Sequence, residues 1–571
     1  MSSNFELLGK KVRGRFGFPS GVIATNEDTA SYLLDRIPQL GFFVGKSTTL
    51  EPEPGNQEDI LAQPGPGALW NAVGYANPGL DATCRGFARL KKTAPEGVFL
   101  MPQIGEKDEE GFSRCAEAFD SLGDAVDGIE LNLSCPHANG GGILIGSDPE
   151  IAASMVRAAS AKTKKPLIVK LNAQSPDIVS VAKAVVAAGA SAVSAINALG
   201  GPNPELSNLY GGLSGKAIFS VTLKFIEKLK ASLAVPVIMI GGIRGAADLR
   251  SLCLGRNDFA SIGSALIGLS SEDLIRYFAL LEEDLANGTD LAPAILQDGK
   301  QHMEYHPLVL KEHITLTEDL SLLRFYGELK AGTGQFVFLT TGSGKVKPFS
   351  VAKQSPLEFV IRRVGPVTED LTHLKPGSVV RCRGPYGKTV CLPKSGGTGV
   401  FVGAGCGIAP IRNAAEEWKG KKIFLLGARS REELVYLEEF REMGDVFIST
   451  DDGSLGMKGR IAELFSKEKS LLEGADFFFN CGPEEALKEL DWLESWVIER
   501  ERIFHLVERM TGCGVGICGK CSTPSGERAC VDGPVFSAVT FAPGQYTRDK
   551  TGAIVSSSSQ SERPKAFQFE N

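Results

Sequence analysis

Between about residues 18 and 285, eight short β-rich apolar runs follow one another: GVIAT, FFVGKS, VFLMPQI, GIELNLS, PLIVKL, AVSAINAL, VPVIMIGGI and FASIGSA. Between them lie segments such as DIVSVAKAVVAAGA and SVTLKFIEKLKASL, whose apolar residues recur at three-to-four spacing. Parallel strands require such helical crossovers, so the alternation predicts a (β/α)8 TIM barrel over residues 1–290.

The chain has 571 residues, several times the usual domain size, so further packed units are expected. After a polar, irregular stretch at 286–305, short turn-punctuated strands over 306–396 predict a small antiparallel β-barrel. Strand and helix patterns alternate again over 397–495 through GVFVGAG, KIFLLGA, DVFISTDDG and FFFNCGP, as in an α/β nucleotide-binding domain. Residues 496–540 carry a cysteine-rich segment, and 541–571 read as a mobile tail. The fold class is therefore α/β multidomain.

Hydrophobic residues make up 43% and charged residues 23% of the chain, which is the balance of a soluble protein. No apolar run reaches membrane-spanning length. A net charge of −7, with both signs mixed along the chain, offers no cationic face for nucleic acid or an anionic membrane. The opening MSSNFELLGKKVRGRFGF lacks the apolar segment and cleavage site of a secretory signal, so a cytoplasmic location is expected. Of twelve cysteines, four crowd between Cys513 and Cys530 and the rest are scattered, which suggests a cluster site and not a disulfide framework.

Cys513, Cys518, Cys521 and Cys530 have the C-x4-C-x2-C-x8-C order of plant-type iron–sulfur ligands, and the glycines among them let the backbone wrap closely and aim amides at sulfur. A structural zinc site and ordinary buried thiols are the alternatives. In VFVGAGCGIAP, Gly403, Gly405 and Gly407 stand where a strand turns into a helix; this suits phosphate binding, although tight turns need glycine for steric reasons alone. Asn132, Ser134 and Cys135 fall at the C-terminal end of a predicted barrel strand, where barrel enzymes keep their chemistry. Cys135 is either a base or a small buried hydrophobe. Lys46 and Lys170 end apolar strands, where a buried amine needs an anionic partner such as a reduced flavin. Gly241 and Gly242, then Gly263 and Ser264, end the seventh and eighth strands with small residues, the usual location of a barrel phosphate site and suited to FMN.

KPFSVA, GPYGKTV and the glycine turn together resemble the FAD-then-nicotinamide module of the ferredoxin-NADP reductase superfamily. That resemblance implies that Lys347, Pro348, Phe349 and Ser350 line FAD, with Gly365 and Thr368 in a following G-x-x-T run. Lys347 stands where an arginine is usual. NAD is assigned to Gly403, Gly405, Gly407, Cys481, Gly482 and Pro483.

Over the whole chain, VGKSTTLEPEPGN, WNAVGYANPGL, ELNLSCP, VKL, INALGG, GGLSGKAI and GGI, followed by KPFS, GPYG, GAGCGIAP, CGP, ERMTGCGVGICGKC and CVDGPVF, resemble NAD-linked class 1B dihydroorotate dehydrogenases. In that family the catalytic and electron-transfer subunits are usually separate; here they are fused. The resemblance implies FMN, FAD, a [2Fe-2S] cluster and NAD. It implies Cys135 as base, Lys46 and Lys170 on FMN, and a substrate pocket of Asn71, Gly74, Tyr75, Asn132, Ser134, His137 and Asn197. FMN would further touch Ser20, Gly21, Ser47, Gly215, Gly241, Gly242, Gly263 and Ser264. A homodimer through the barrels is also implied.

Four pocket features depart from the family: His137 replaces an asparagine, Ala198 a hydroxyl residue and Tyr75 a leucine, and a Pro-Arg pair is missing from GNQEDILAQ. A pocket that pairs polar ring edges discriminates strongly when one partner changes. The leading expectation is thus oxidation of dihydroorotate coupled to NAD(H). The alternatives are another cyclic amide or enoate-like substrate on the same architecture, and an electron relay whose barrel has lost catalysis.

Overall fold

A computed structural model describes residues 5–56, 60–133, 145–202, 210–255, 258–296, 303–342, 345–390, 392–393 and 396–541, with two short strands at Thr547–Arg548 and Ile554–Val555. Its first part is a parallel eight-stranded barrel. The strands are β1 (Phe16–Gly17), β2 (Phe42–Thr48), β3 (Phe99–Ile104), β4 (Ile129–Asn132), β5 (Leu167–Lys170), β6 (Ala190–Ala195), β7 (Val237–Ile240) and β8 (Ala260–Ser261). They pair in the order β1-β8-β7-β6-β5-β4-β3-β2, and Gly41 N donating to Phe16 O at 2.9 Å joins the two ends. All residues of β3, β4, β5 and β7 are buried, as expected of parallel strands covered on both faces. Side chains of Asn26, Asp108, Asp148 and Asp177 accept backbone N–H groups at the starts of four of the surrounding helices.

The first strand differs from expectation. GVIAT is a loop, and the strand is the shorter Phe16–Gly17 before it. Pro19 has no N–H for a ladder, and φ is +75° at Gly21 and +67° at Ile23, so the segment cannot stay extended. Ile23 is nevertheless fully buried, which explains the strand-like pattern of a loop. An accessory sheet of Leu61–Ala62, Ala68–Asn71, Leu199–Pro202 and Tyr210–Gly215 brings Asn71 and Ser214 over the strand ends.

A seven-stranded antiparallel half-barrel follows, built from β9 (His306–Thr315), β10 (Leu320–Phe325), β11 (Phe336–Thr340), β12 (Lys347–Ser350), β13 (Lys353–Gln354), β14 (Leu357–Arg362) and β15 (Val379–Tyr386). Next comes a seven-stranded sheet of β16 (Thr398–Ala404), β17 (Lys421–Ala428), β18 (Asp445–Thr450), β19 (Met457–Lys458), β20 (Phe477–Cys481), β21 (Ile503–Leu506) and β22 (Val535–Ser537). Its order is β19-β18-β17-β16-β20-β21-β22, parallel except for the β21–β22 pair. The strand order reverses between β16 and β20, and ligands of such sheets bind at that point. The cysteine-rich segment is an excursion between β21 and β22, so both its flanks are tied into this sheet.

One apolar core unites the parts. It contains Leu69 and Ile267 of the barrel, Phe336, Phe338 and Tyr386 of the half-barrel, Leu487 and Val507 beside the third sheet, and all four cysteines between them.

Candidate active site and electron-transfer centre

A cavity opens at the C-terminal ends of the barrel strands, with about 1220 Å³ of free space that is partly open to solvent. Each strand end contributes: Ser20 and Gly21 after β1, Lys46 and Ser47 from β2, Gln103 from β3, Asn132 from β4 and Lys170 from β5. Asn197 and Ala198 follow β6, Gly241 and Gly242 follow β7, and Gly263 and Ser264 follow β8. Asn71, Gly74 and Tyr75 close the cavity from the accessory sheet and its following turn. Gly215 stands apart from this group, lining a side recess with Lys216, Gly242, Arg244 and Ser264. Ser134, Cys135 and His137 lie outside the described residues.

The chemistry of the wall suits a polar, anionic cofactor. Burial pushes the Lys46 ammonium down to about 8; Cys518 nearby raises it and Lys520 lowers it. A bound anion would restore the charged form. Ser261, which lines the cavity, has a buried Oγ with no hydrogen-bond partner among the described residues, which suits it to a ligand.

The four cysteines of the excursion are buried within one another's reach. Hydrogen bonds from the Cys518 and Cys530 thiols hold Cys513 well below the ordinary thiol range and push those two donors well above it. Backbone amides also point at sulfur: Gly516 N to Cys530 Sγ at 3.2 Å and Ile517 N to Cys513 Sγ at 3.3 Å. Among the described residues no three potential ligands surround a single-ion point. Four thiols with amide donors fit an iron–sulfur core, whose sulfides those amides stabilise.

The excursion touches both neighbours. Ile517 lines the barrel cavity itself. Gly268 N donates to Val515 O at 3.0 Å, and Asn26 Nδ2 donates to Gly519 O at 3.2 Å. On the other side, Arg383 of β15 donates to Cys513 O at 3.2 Å and lies over the Phe338 ring at 4.4 Å.

In the half-barrel, Lys347, Pro348, Phe349 and Ser350 form β12 on the edge against β11. Thr368 Oγ1 accepts from the backbone N–H of Gly365 at 3.0 Å, so these two residues meet in one turn. At the reversal point of the third sheet, Gly403, Gly405 and Gly407 end β16, and Cys481, Gly482 and Pro483 end β20. A Cβ on Gly407 would lie 2.1 Å from Cys481 O, so only glycine lets the two loops come together. Arg362, at the end of β14, hydrogen-bonds the Cys406 thiol in this glycine turn and so ties the half-barrel to the nucleotide crevice.

Gln103, Glu130, Arg383 and Ile517 went unnoticed in the sequence. A lone charge inside the apolar run GIELNLS was a usable signal for Glu130. Nothing local marked Ile517.

Comparison with known proteins agrees with this anatomy. Residues 3–268 match the family model for dihydroorotate dehydrogenase, and residues 508–541 match that for the iron–sulfur cluster binding domain of dihydroorotate dehydrogenase B. The chain is 35% identical over 267 residues to the dihydroorotate dehydrogenase B (NAD(+)) catalytic subunit of Geotalea daltonii, covering 46% of this chain and 86% of that one. It is 36% identical over 270 residues to the counterpart from Trichlorobacter lovleyi, with coverage of 46% and 86%. Dihydroorotate dehydrogenase A (fumarate) of Lacticaseibacillus paracasei is 34% identical over 259 residues, covering 44% of this chain and 85% of that one.

Proposed function

This chain belongs to the dihydroorotate dehydrogenase family, and from that premise we propose that it oxidises dihydroorotate to orotate in pyrimidine biosynthesis and passes the electrons to NAD within one polypeptide. Likeness in the barrel alone does not choose an electron acceptor, because relatives named for NAD and for fumarate match it about equally. The observation that carries the choice is Ile517: a residue of the cysteine segment lines the same cavity as Lys46, Asn71, Asn132, Lys170 and Asn197.

FMN in the cavity, a [2Fe-2S] core on the four cysteines and FAD against β12 would, when bound, take an electron pair from the substrate, carry it singly and return it as a pair to the nicotinamide. The chain's own work is positional. Asn71, Asn132 and Asn197 hold the polar edges of the substrate ring. Cys135 removes the proton from the ring carbon next to the one that loses hydride. Lys46 and Lys170 supply positive charge beside the flavin ring, and Gly241, Gly242, Gly263 and Ser264 accept its phosphate. Gly403, Gly405 and Gly407 with Cys481, Gly482 and Pro483 hold NAD at the strand-order reversal. The same proposal assigns residues 1–290, 306–396, 397–495 and 496–540 to FMN, FAD, NAD and cluster units, in a cytoplasmic homodimer formed through the barrels.

Anaerobic reduction tests this. Dihydroorotate and NADH, added separately, should each bleach the flavin and cluster absorbance, and Cys135→Ala should abolish only the response to dihydroorotate. A second reading is favoured by Tyr75 and Ala198, which both face the cavity where the family has a leucine and a hydroxyl residue. If NADH bleaches the protein and dihydroorotate does not, the substrate is another small cyclic amide or enoate.

A further inference from the structure

Glu130 is a carboxylate on an interior barrel strand, 2% exposed, with no part in the function proposed above. Both of its oxygens are occupied. Oε1 accepts from Ser194 Oγ at 2.6 Å, and Oε2 accepts from Gln103 Nε2. Gln103, fully buried, accepts on its Oε1 from Ser20 Oγ at 2.8 Å and from Ser47 Oγ. Ser47 Oγ in turn accepts from Asn132 Nδ2 at 3.2 Å. Ser20, Ser47, Gln103 and Asn132 all line the cavity.

These partners impose one arrangement of protons. Both Glu130 oxygens accept, one from Ser194 and one from Gln103, so Gln103 turns its amide nitrogen towards Glu130. Its carbonyl oxygen then faces the two serines, and both must donate to it. Having spent its proton, Ser47 receives one from Asn132. An amide between groups that could each donate or accept would turn over freely, and the serines would reverse with it. A buried carboxylate costs free energy; here its geometric consequence is a wall whose hydrogen bonds run in a single direction.

We propose that Glu130 is a positioning residue that sets the donor and acceptor polarity of the cavity floor through Gln103, Ser20, Ser47 and Asn132. Ser20 Oγ then faces the cavity as an acceptor, matched to a ring N–H of the bound flavin, and Asn132 is held in one of its two amide orientations towards the substrate ring. The inference rests on the reading of this cavity as the flavin and substrate site.

The test uses the cofactor-loaded full chain with two readouts, the dissociation constant for orotate and the midpoint potential of the barrel flavin. Glu130→Gln preserves shape but removes the acceptor-only anchor. It should weaken orotate binding roughly tenfold, about one well-placed hydrogen bond, and shift the flavin potential. The exchanged pair Glu130→Gln with Gln103→Glu puts the carboxylate where it accepts from both serines and from the new amide, so it should recover orotate binding to within about threefold of the parent. Parental values in Glu130→Gln, or an exchanged pair no better than the single variant, overturn the proposal. If Glu130→Gln does not fold, Ser20→Ala, which removes one acceptor and leaves the carboxylate in place, must shift the flavin potential, and an unmoved potential overturns the proposal equally. If the parent itself fails to bind orotate, the substrate assignment fails separately, and the flavin potentials of the same variants decide the polarity proposal.

Discussion

Glu494 is wholly buried beneath the third sheet, where its Oε2 accepts from Asn480 Nδ2 at 2.7 Å. Burial holds its carboxyl well above the ordinary range; the hydrogen bond from Asn480 opposes this and Asp491 adds to it. The folded chain therefore keeps a proton that the unfolded chain releases above about pH 4.3. Stability from this group is whole below that value and falls by about 1.4 kcal/mol per pH unit above it, until the folded pKa is reached. Glu494→Gln removes the slope, so its thermal stability relative to the parent should rise from pH 5 to pH 8; an equal difference at both would refute the burial argument. Arg383 makes a second case. Its guanidinium is 1% exposed and hydrogen-bonded to the backbone of Cys513, where a fixed positive charge favours the reduced and more negative cluster. Arg383→Gln should lower the cluster midpoint potential by roughly 60 mV, a tenfold change in a one-electron equilibrium, with Arg383→Lys in between. An EPR-monitored redox titration reads this, and coincident curves would show that the charge is not felt at the cluster.

At the scale of elements, the loop after β1 does two jobs: Ser20 and Gly21 line the cavity, while Thr25 and Asn26 meet the cysteine excursion. Asn26 Oδ1 caps the following helix by accepting from Thr29 N at 2.9 Å, and its Nδ2 donates to Gly519 O and to Ser522 Oγ. Asn26→Asp keeps the capping acceptor and loses the donor. It should leave dihydroorotate reduction of the barrel flavin unchanged and slow electron passage to the cluster several-fold by stopped-flow; equal slowing of both steps would mean that the loop has simply collapsed. This loop also shows what was legible in advance. The longer barrel strands and the strands β16, β17, β18 and β20 carry their own apolar runs and could be read directly. β1 could not, because two residues make no pattern and the packed loop behind it imitates one. Lysines, asparagines and glycines at strand ends were readable as site residues because a barrel gathers its strand ends in one place. The chain from Glu130 to Asn132 was not, since it joins four different strands or loops through side-chain contacts that no local spacing encodes.

The molecule as a whole is organised around the cysteine excursion, on which the barrel, the half-barrel and the third sheet all pack. Its junction with the barrel is made of short-range contacts: Gly268 N to Val515 O at 3.0 Å, Arg528 Nη2 to Leu269 O at 3.1 Å and Ser271 N to Asp532 Oδ1 at 2.6 Å, set in apolar packing. An ion pair also spans the halves, Lys388 to Glu272 at 2.8 Å, but its side chains are 50% and 77% exposed. Pairs so exposed contribute little and are screened by salt. A complex assembled by charge steering would exchange electrons more slowly as salt rises and faster as protein concentration rises. Here neither dependence should appear: after dihydroorotate is mixed with the oxidised enzyme, the rate of cluster reduction should stay the same within about twofold between roughly 0.05 and 0.5 M salt and across a wide range of enzyme concentration. A rate that follows either variable would place the working contact between molecules, and the buried junction would then be a structural seam without a part in electron transfer.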